Sequence, residues 1–165
     1  MLDGGDYFVK NRTCCFTGHR NLPENQREEI AAKLQNAIIS LIQSGYLYFG
    51  AGGALGFDTL CAKAILRLRQ NYPAIKLILV LPCVSQADRW SAADIAVYRE
   101  IMEQADKVVY TSQNYTRDCM FKRNRHLVDH SSACICYQTK QTGGTAYTVE
   151  YARRHGLRII NLAEK

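Results

Sequence analysis

The sequence predicts an α/β fold, a single three-layer domain with a mainly parallel sheet of about six strands. Short apolar runs alternate with amphipathic helical patterns along the chain of 165 residues, the order expected of repeated strand-helix-strand units. The run Ile75–Leu81 is almost wholly apolar, as expected when helices cover both faces of a parallel sheet. No tract rich in Pro, Gly or Ser divides the chain. We therefore expect one domain over residues 1–165, with 1–12 as an N-terminal extension.

In the first half of the chain, predicted strands alternate with predicted helices. The apolar run at 13–17 ends at a Gly-His-Arg turn and predicts a strand. Apolar residues then recur at intervals of three and four over 23–44, between a proline and Gly45, which is typical of an amphipathic helix. The run at 46–49 leads into a glycine cluster and predicts a second strand, and the pattern over 57–71 predicts a second helix.

The second half continues the same alternation. Apolar runs suited to buried strands follow patterns with helical spacing. Further helices are predicted at 91–104, at 116–130 and from a Gly-Gly-Thr turn at 143–145 to Arg154, and further strands at 107–111, 133–137 and 158–162.

The composition is that of a globular protein with a basic surplus. Hydrophobic residues make up 47% and charged residues 22%, and the formal net charge is +6, which excludes a disordered chain and favours an anionic partner. The N-terminus lacks a signal-peptide pattern and no apolar run could span a bilayer, so we expect a cytoplasmic protein without membrane contact. The seven cysteines form no C-x-x-C pair, and we expect them to be free and buried.

Three unusual segments each follow a predicted strand and precede a helix: TGHR (Thr17–Arg20), GAGGALGFD (Gly50–Asp58) and TGGT (Thr142–Thr145). The carboxyl ends of parallel strands share one edge of a sheet, where ligands bind. Glycines there admit an anion close to the main chain, and the next helix N-terminus favours negative charge. Together they predict a phosphate or nucleotide site. The standard dinucleotide fingerprint and the Walker pattern are both absent, which argues against ordinary NAD binding and P-loop hydrolysis.

Other candidate residues carry two interpretations each. Arg123 and Asn124 flank the buried stripe of their helix, so Arg123 either reaches a phosphate or belongs to a solvated basic face. Asp58 is either a catalytic carboxylate or a helix-terminus charge. Trp90, or one of the tyrosines, either stacks on a base or anchors its loop. His126 and His130 are spaced as metal ligands but lack a third partner, and we predict neither a metal nor an identifiable cofactor. The tyrosines considered are Tyr98, Tyr115 and Tyr147.

The segments TGHR, GAGGALGFD, QADRW, MFKRNR and GGTAYTVEYA together resemble the YpsA-like family of the SLOG superfamily, which joins the DNA-processing Smf/DprA proteins and the LOG proteins. The resemblance covers nearly the whole chain. It implies a Rossmann-like fold, a crevice for a nucleotide or nucleotide-derived ligand, a link to bacterial cell division or stress physiology, and a homo-oligomer.

Relatives within the superfamily suggest two further activities. LOG proteins are phosphoribohydrolases that cleave the N-glycosidic bond of nucleoside 5′-monophosphates with an Arg and a Glu. By position, their first motif matches at Met120 and Arg123, with Asn124 in place of Lys, while the nearest carboxylate for the second is Glu150, turned away along its helix. DprA-like members bind single-stranded DNA, but the basic residues of this chain are divided between two helices.

Our leading hypothesis is a protein that binds or senses a nucleotide-derived ligand, either ADP-ribose-like or a nucleoside phosphate. The alternative is an enzyme that hydrolyses such a substrate, either at an N-glycosidic bond through Arg123 or at a phosphate ester, and DNA binding is a minor alternative. Arg20 and Arg123 fall beside glycine-rich strand ends, which favours a pocket for one small anion over a nucleic-acid surface. The candidate catalytic residues are Arg123 and Glu150. The candidate ligand-binding residues are Gly18, His19, Arg20, Gly52, Gly53, Gly56, Asp58, Trp90, Asn124, Gly143, Gly144 and Thr145.

Overall fold

Each predicted strand and helix is present in the computed structural model, which describes residues 9–164. Residues 1–8 of the predicted N-terminal extension lie outside this range. The strands are β1 (Thr13–Gly18), β2 (Tyr48–Ala51), β3 (Lys76–Leu81), β4 (Lys107–Tyr110), β5 (Ala133–Tyr137) and β6 (Arg158–Asn161). The helices are α1 (Arg27–Gln43), preceded by a 3-10 turn at Glu24–Gln26, then α2 (Phe57–Leu68), α3 (Ala92–Gln104), α4 (Cys119–Asp129) and α5 (Gly144–Arg154).

All six strands are parallel and form one sheet in the order β4-β3-β2-β1-β5-β6. The chain runs outward from β1 to β4 and then returns to the other side of β1 at β5. The order of the strands therefore reverses between β1 and β5. In open α/β sheets a ligand crevice lies at such a switch point, beyond the carboxyl ends of the strands. The topology thus singles out the ends of β1 and β5.

Two apolar clusters cover the two faces of the sheet, so the predicted three-layer α/β architecture is confirmed. Alternate residues of each strand point to opposite faces. On β1, Phe16 belongs to the cluster beneath α1, α2 and α3, whereas Cys15 belongs to the cluster beneath α4 and α5. Leu34 and Ile65 are fully buried in the first cluster, and Val128 is fully buried in the second.

The second strand begins and ends two residues later than its composition predicts. It spans Tyr48–Ala51 because its main chain pairs with β1 and β3 on both sides, so that Gly50 lies opposite Cys15 and Ile78. Pairing with both neighbouring strands sets the limits of β2, and Gly50 within it takes part in that pairing. A Cβ on Gly50 would lie 2.9 Å from the Leu127 side chain, so the glycine permits α4 to pack closely on β2.

The seven cysteines are free and buried, as predicted. Burial raises the pKa of the Cys61 thiol well above its usual value, so the protonated form dominates at neutral pH. Within residues 9–164, no helix combines the length and the apolar character needed to cross a membrane.

Candidate functional site

A cavity of about 280 Å³ opens where β1 and β5 end. The β1–α1 loop, the β2–α2 loop, the inner side of α4 and the first turn of α5 surround it. The predicted residues that line it are Gly18, His19, Arg20, Asp58, Arg123, Asn124, Gly144 and Thr145. The three segments singled out from the sequence therefore meet at one cavity, together with the basic helix.

The first two loops are held together through their main chains. The Phe57 N–H donates a hydrogen bond of 3.1 Å to the His19 carbonyl oxygen. Gly56 has a φ of +80°, and a Cβ there would lie 2.7 Å from the Arg20 Cα. Glycine alone suits both requirements, the left-handed backbone and the close approach. This contact fixes the main chain from which the Arg20 side chain extends toward the cavity.

Arg123 is buried beside the cavity, with 4% of its surface exposed. Its Nη1 donates to the Gly52 carbonyl oxygen, and its Nε donates a 2.7 Å hydrogen bond to Asn124 Oδ1. Burial lowers the pKa of Arg123, and the nearby carboxylate of Asp58 opposes that shift. Because an arginine side chain stays protonated in proteins, Arg123 brings a positive charge to a site shielded from water. The alternative of a solvated basic face is therefore wrong for this residue.

Asp58, in the first turn of α2, is also buried. Its Oδ2 accepts a 3.2 Å hydrogen bond from the Ala54 N–H, so the carboxylate folds back onto the glycine-rich loop. Burial raises the pKa of Asp58, while the Arg123 guanidinium opposes the rise. The carboxylate also lines the cavity, where it can accept a hydrogen bond from a ligand hydroxyl.

Gly52 leaves the space in which Arg123 and Asp58 approach each other. A Cβ at this position would lie 2.5 Å from Arg123 Nη1 and 2.8 Å from Asp58 Oδ2. Both distances are shorter than ordinary van der Waals contact, and the guanidinium group is held by its hydrogen bonds. Gly52 therefore allows Arg123 and Asp58 to pack close together beside the cavity. Gly52 itself does not line the cavity.

His19 links the two strand ends of the switch point. Its Nε2 lies 3.0 Å from both the main-chain nitrogen and the Oγ1 of Thr139, in the segment after β5. Because the Thr139 N–H donates, Nε2 acts as an acceptor and the ring carries its proton on Nδ1. Burial lowers the pKa of His19, with a contribution from Lys140. The ring is therefore neutral at pH 7, and the positive charge of the site comes from the arginines.

The N-terminus of α5 forms another wall. Gly143 precedes the helix with a φ of 99°, and this end has no side-chain cap. Gly144 and Thr145 supply main-chain N–H groups at the edge of the cavity. Such groups, together with the helix dipole, favour an anion.

Six of the predicted residues do not line the cavity: Glu150, Trp90, Gly52, Gly53, Gly56 and Gly143. Glu150 lies on the exposed side of α5, where its carboxylate pairs with Arg153 at 2.8 Å and Arg154 at 3.1 Å. Trp90 packs edge-on against Tyr98, with 5.2 Å between ring centroids. This contact holds Trp90 against α3, and Glu150 faces away because of its place in the helical turn. Gly53, Gly56 and Gly143 shape the surrounding turns.

Four residues that the sequence did not single out as site residues also line the cavity: Phe16, Thr17, Ala54 and Met120. Met120 lies one helical turn before Arg123, and its Sδ is 3.8 Å from Arg123 Nη2. The spacing of three residues, which places Met120 and Arg123 on the same side of α4, is visible in the sequence. Within residues 9–164, no group of three or more His, Cys, Asp or Glu side chains is arranged to hold a metal ion.

The chain is similar in sequence to bacterial UPF0398 proteins. The chain is 29% identical to the UPF0398 protein of Bacillus pumilus over 129 residues, which cover 76% of this chain and 69% of that protein. It is 28% identical to the UPF0398 protein BH1768 of Halalkalibacterium halodurans over 128 residues, which cover 76% and 68%.

Two solved structures of DNA processing protein A share the architecture. The one from Helicobacter pylori, described with a unique single-stranded DNA binding mode, has a TM-score of 0.64 and 17% identity, over 95% of this chain and 67% of that one. The one from Streptococcus pneumoniae has a TM-score of 0.66 and 20% identity, over 92% of this chain. The present chain spans 50% of the S. pneumoniae chain.

The sequence also matches the YpsA family, described as the YspA SLOG family, over residues 14–159, from the start of β1 into β6. That range includes the three loops, the basic helix and the buried Arg123 and Asp58 of the cavity. The chain belongs to this YpsA (YspA SLOG) family.

Proposed function

We propose that this protein binds or senses a nucleotide-derived anion, an ADP-ribose-like molecule or a nucleoside phosphate, in the cavity between the ends of β1 and β5. The observation that carries the proposal is the buried Arg123 beside Asp58 at the switch point of the sheet. Burying both a guanidinium and a carboxylate costs free energy. Buried charged groups that line a cleft and have shifted pKa values are typical of functional sites.

Each wall of the cavity suits one part of such a ligand. The N–H groups at the start of α5 and the exposed Arg20 would bind a phosphate. Asp58 would accept hydrogen bonds from ribose hydroxyls, and Asn124 offers an amide beside them. Membership of the SLOG family supports a nucleotide-related ligand.

The test is a thermal-shift panel with AMP, ADP-ribose and NAD, because a ligand that binds the native state raises the melting temperature by mass action. The informative variant is Arg20→Ala, since Arg20 is exposed and its removal spares the core. Losing a charge-assisted hydrogen bond to phosphate costs about 1.5–3 kcal/mol, or at least about tenfold in Kd. Arg99→Ala, an exposed change of equal charge on α3, is the matched control.

We expect at least one of these ligands to raise the melting temperature of the wild-type protein and of Arg99→Ala, and to act far less on Arg20→Ala. The absence of any shift at millimolar concentration would reject the proposed function. An equal response of the two variants would place the ligand elsewhere on the molecule.

The position of Asp58 favours one catalytic alternative, hydrolysis of the N-glycosidic bond of a nucleoside monophosphate. Asp58 supplies at the cavity the carboxylate that Glu150 does not. In this reaction water forms the new C1′–O bond while the C1′–N bond breaks. Asp58 would take one proton from that water, and the departing base would gain a proton from solvent. Arg123 would balance the charge on Asp58.

The hydrolysis is tested by measuring adenine released from AMP. Asp58→Asn is expected to abolish release, whereas Glu150→Gln is expected to retain it. Retention of activity in Asp58→Asn would remove Asp58 from the reaction, and a lack of adenine with the wild-type protein would leave binding as the function.

A further inference from the structure

A second and larger cavity, about 540 Å³, lies on the outer side of α5. We call it the α5 groove, and it is defined by Thr142, Gly143, Ala146, Tyr147, Tyr151 and Arg154. Gly143, just before α5, lines this groove, and Gly144, the first residue of α5, lines the first cavity. Adjacent residues at the N-terminus of one helix therefore belong to the two cavities.

The boundary between the two cavities carries no side chain. Gly143 lines the α5 groove and Gly144 lines the first cavity. A Cβ at either position would meet no atom within 4 Å. Neither glycine is therefore needed for packing space. Their bare main chain leaves the space over the helix start open, where the N–H groups favour an anion.

Tyr147 presents a fixed aromatic ring to the α5 groove. Its hydroxyl oxygen accepts a 3.2 Å hydrogen bond from Arg125 Nη1, and the Phe121 ring packs edge-on against it with 4.8 Å between centroids. The Tyr151 ring lies nearly parallel to it, at 6.4 Å and 18°. Tyr147 nevertheless stays 41% exposed. A ring held in place and partly exposed is suited to stack on a nucleobase.

We propose that the ligand has two parts and occupies both cavities: a ribose phosphate in the first cavity, a pyrophosphate across Gly143 and Gly144, and a nucleobase against Tyr147. This inference rests on the proposed function and selects, from its two ligand classes, the ADP-ribose type over the mononucleotide. The pyrophosphate would lie on the helix N-terminus, where anions are favoured.

Charge in the α5 groove favours a small ligand over a nucleic-acid strand. Arg153 and Arg154 both pair with Glu150, whose carboxylate lines the groove. A strand places successive phosphates along its path and requires a cationic track with several stacking rings. A single pyrophosphate and one base require only the helix terminus and Tyr147.

The experiment compares ribose 5-phosphate with ADP-ribose by calorimetric titration of the full chain. The first ligand fills only the first cavity, whereas the second reaches the α5 groove. Tyr147→Ala is expected to weaken ADP-ribose binding about tenfold, the contribution of one stacked base, and to leave ribose 5-phosphate unaffected. Tyr147→Phe keeps the ring and should keep the affinity. Gly144→Val has space for its side chain and should weaken ADP-ribose binding by filling the open space over the helix start.

The control is Tyr115→Ala, since Tyr115 is 67% exposed and lines neither cavity. Equal binding of ADP-ribose by the wild type and Tyr147→Ala would overturn the two-part ligand, while binding of ribose 5-phosphate would uphold the proposed function. Failure of both ligands to bind would overturn the two-part ligand, and failure of AMP and NAD as well would overturn the proposed function. Tighter binding of a deoxythymidine oligomer, lost only for that oligomer in Tyr147→Ala, would assign the groove to a nucleic acid and also overturn the inference.

Discussion

Arg123 donates a hydrogen bond from its Nη1 to the carbonyl oxygen of Gly52, 71 positions earlier in the chain. This bond joins α4, on one face of the sheet, to the loop at the end of β2. It holds the guanidinium beside Asp58 at the floor of the cavity. The site thus depends on a glycine whose role is to leave room for a buried charge.

Gly52→Ala is predicted to destabilise the protein, because its Cβ would lie 2.5 Å from Arg123 Nη1. Overpacking of this kind costs about 1–3 kcal/mol, and each kcal/mol lowers the melting temperature of a domain of this size by about 2–4 °C. Thermal unfolding followed by circular dichroism measures the effect. Gly144→Ala is the matched control, since a Cβ there has open space. An unchanged melting temperature for Gly52→Ala would refute the packing role of Gly52.

Asp58 and Arg123 are predicted to be energetically coupled. Each opposes the effect of burial on the pKa of the other. Asp58→Asn or Arg123→Met alone leaves an unbalanced charge in a buried site, while the double variant leaves none. Denaturant unfolding of the two single variants and the double variant should give a coupling of about 0.5–3 kcal/mol. Strictly additive losses would show that the two charges do not interact.

The pKa of Asp58 predicts the pH dependence of stability. Because burial raises this pKa, the native state binds the proton more tightly than the unfolded state does. The contribution of Asp58 to the free energy of unfolding is therefore full below the usual Asp pKa of about 3.9. It is lost as pH rises through the raised native value. The free energy of unfolding of the wild type minus that of Asp58→Asn should therefore decrease as pH rises. An increase of this quantity with pH would contradict the prediction.

Glu150→Gln is predicted to change neither the affinity for ribose 5-phosphate nor adenine release from AMP, because Glu150 does not line the first cavity. The Glu150 carboxylate is exposed and pairs with Arg153 and Arg154 on the outer side of α5. Such surface pairs contribute little to stability, so the melting temperature should also stay nearly unchanged. Titration and melting of this variant beside Asp58→Asn provide the comparison. A large loss of ribose 5-phosphate binding in Glu150→Gln, but not in Asp58→Asn, would show that Glu150 and not Asp58 is the carboxylate of the first cavity.

The fold could be predicted from sequence because strand and helix periods leave strong local patterns. The apolar run of β3 and the three-and-four spacing in α1 are examples. The limits of β2 could not be predicted so closely, because pairing with both neighbours set them, as at Gly50. The meeting of the three glycine-bearing loops followed from their common place after parallel strands.

The details of the site depended on tertiary contacts. The sequence left open whether Arg123 is solvated, and burial against Gly52 decides it. Trp90 lies outside the cavity and packs against Tyr98, a contact between separate segments that no local pattern encodes. The role of Gly52 as space for two charged groups required the packing of α4, which local pattern does not encode.

Amide chemical-shift mapping with ADP-ribose tests the central claim most directly, and at 18.7 kDa the protein is suited to it. The account predicts the largest shifts at 17–20, 52–58 and 143–145, the loops around the cavity, with a second set near Tyr147 if the ligand reaches the α5 groove. Shifts confined to another surface, such as the groove between α2 and α3 around Arg67, would contradict it.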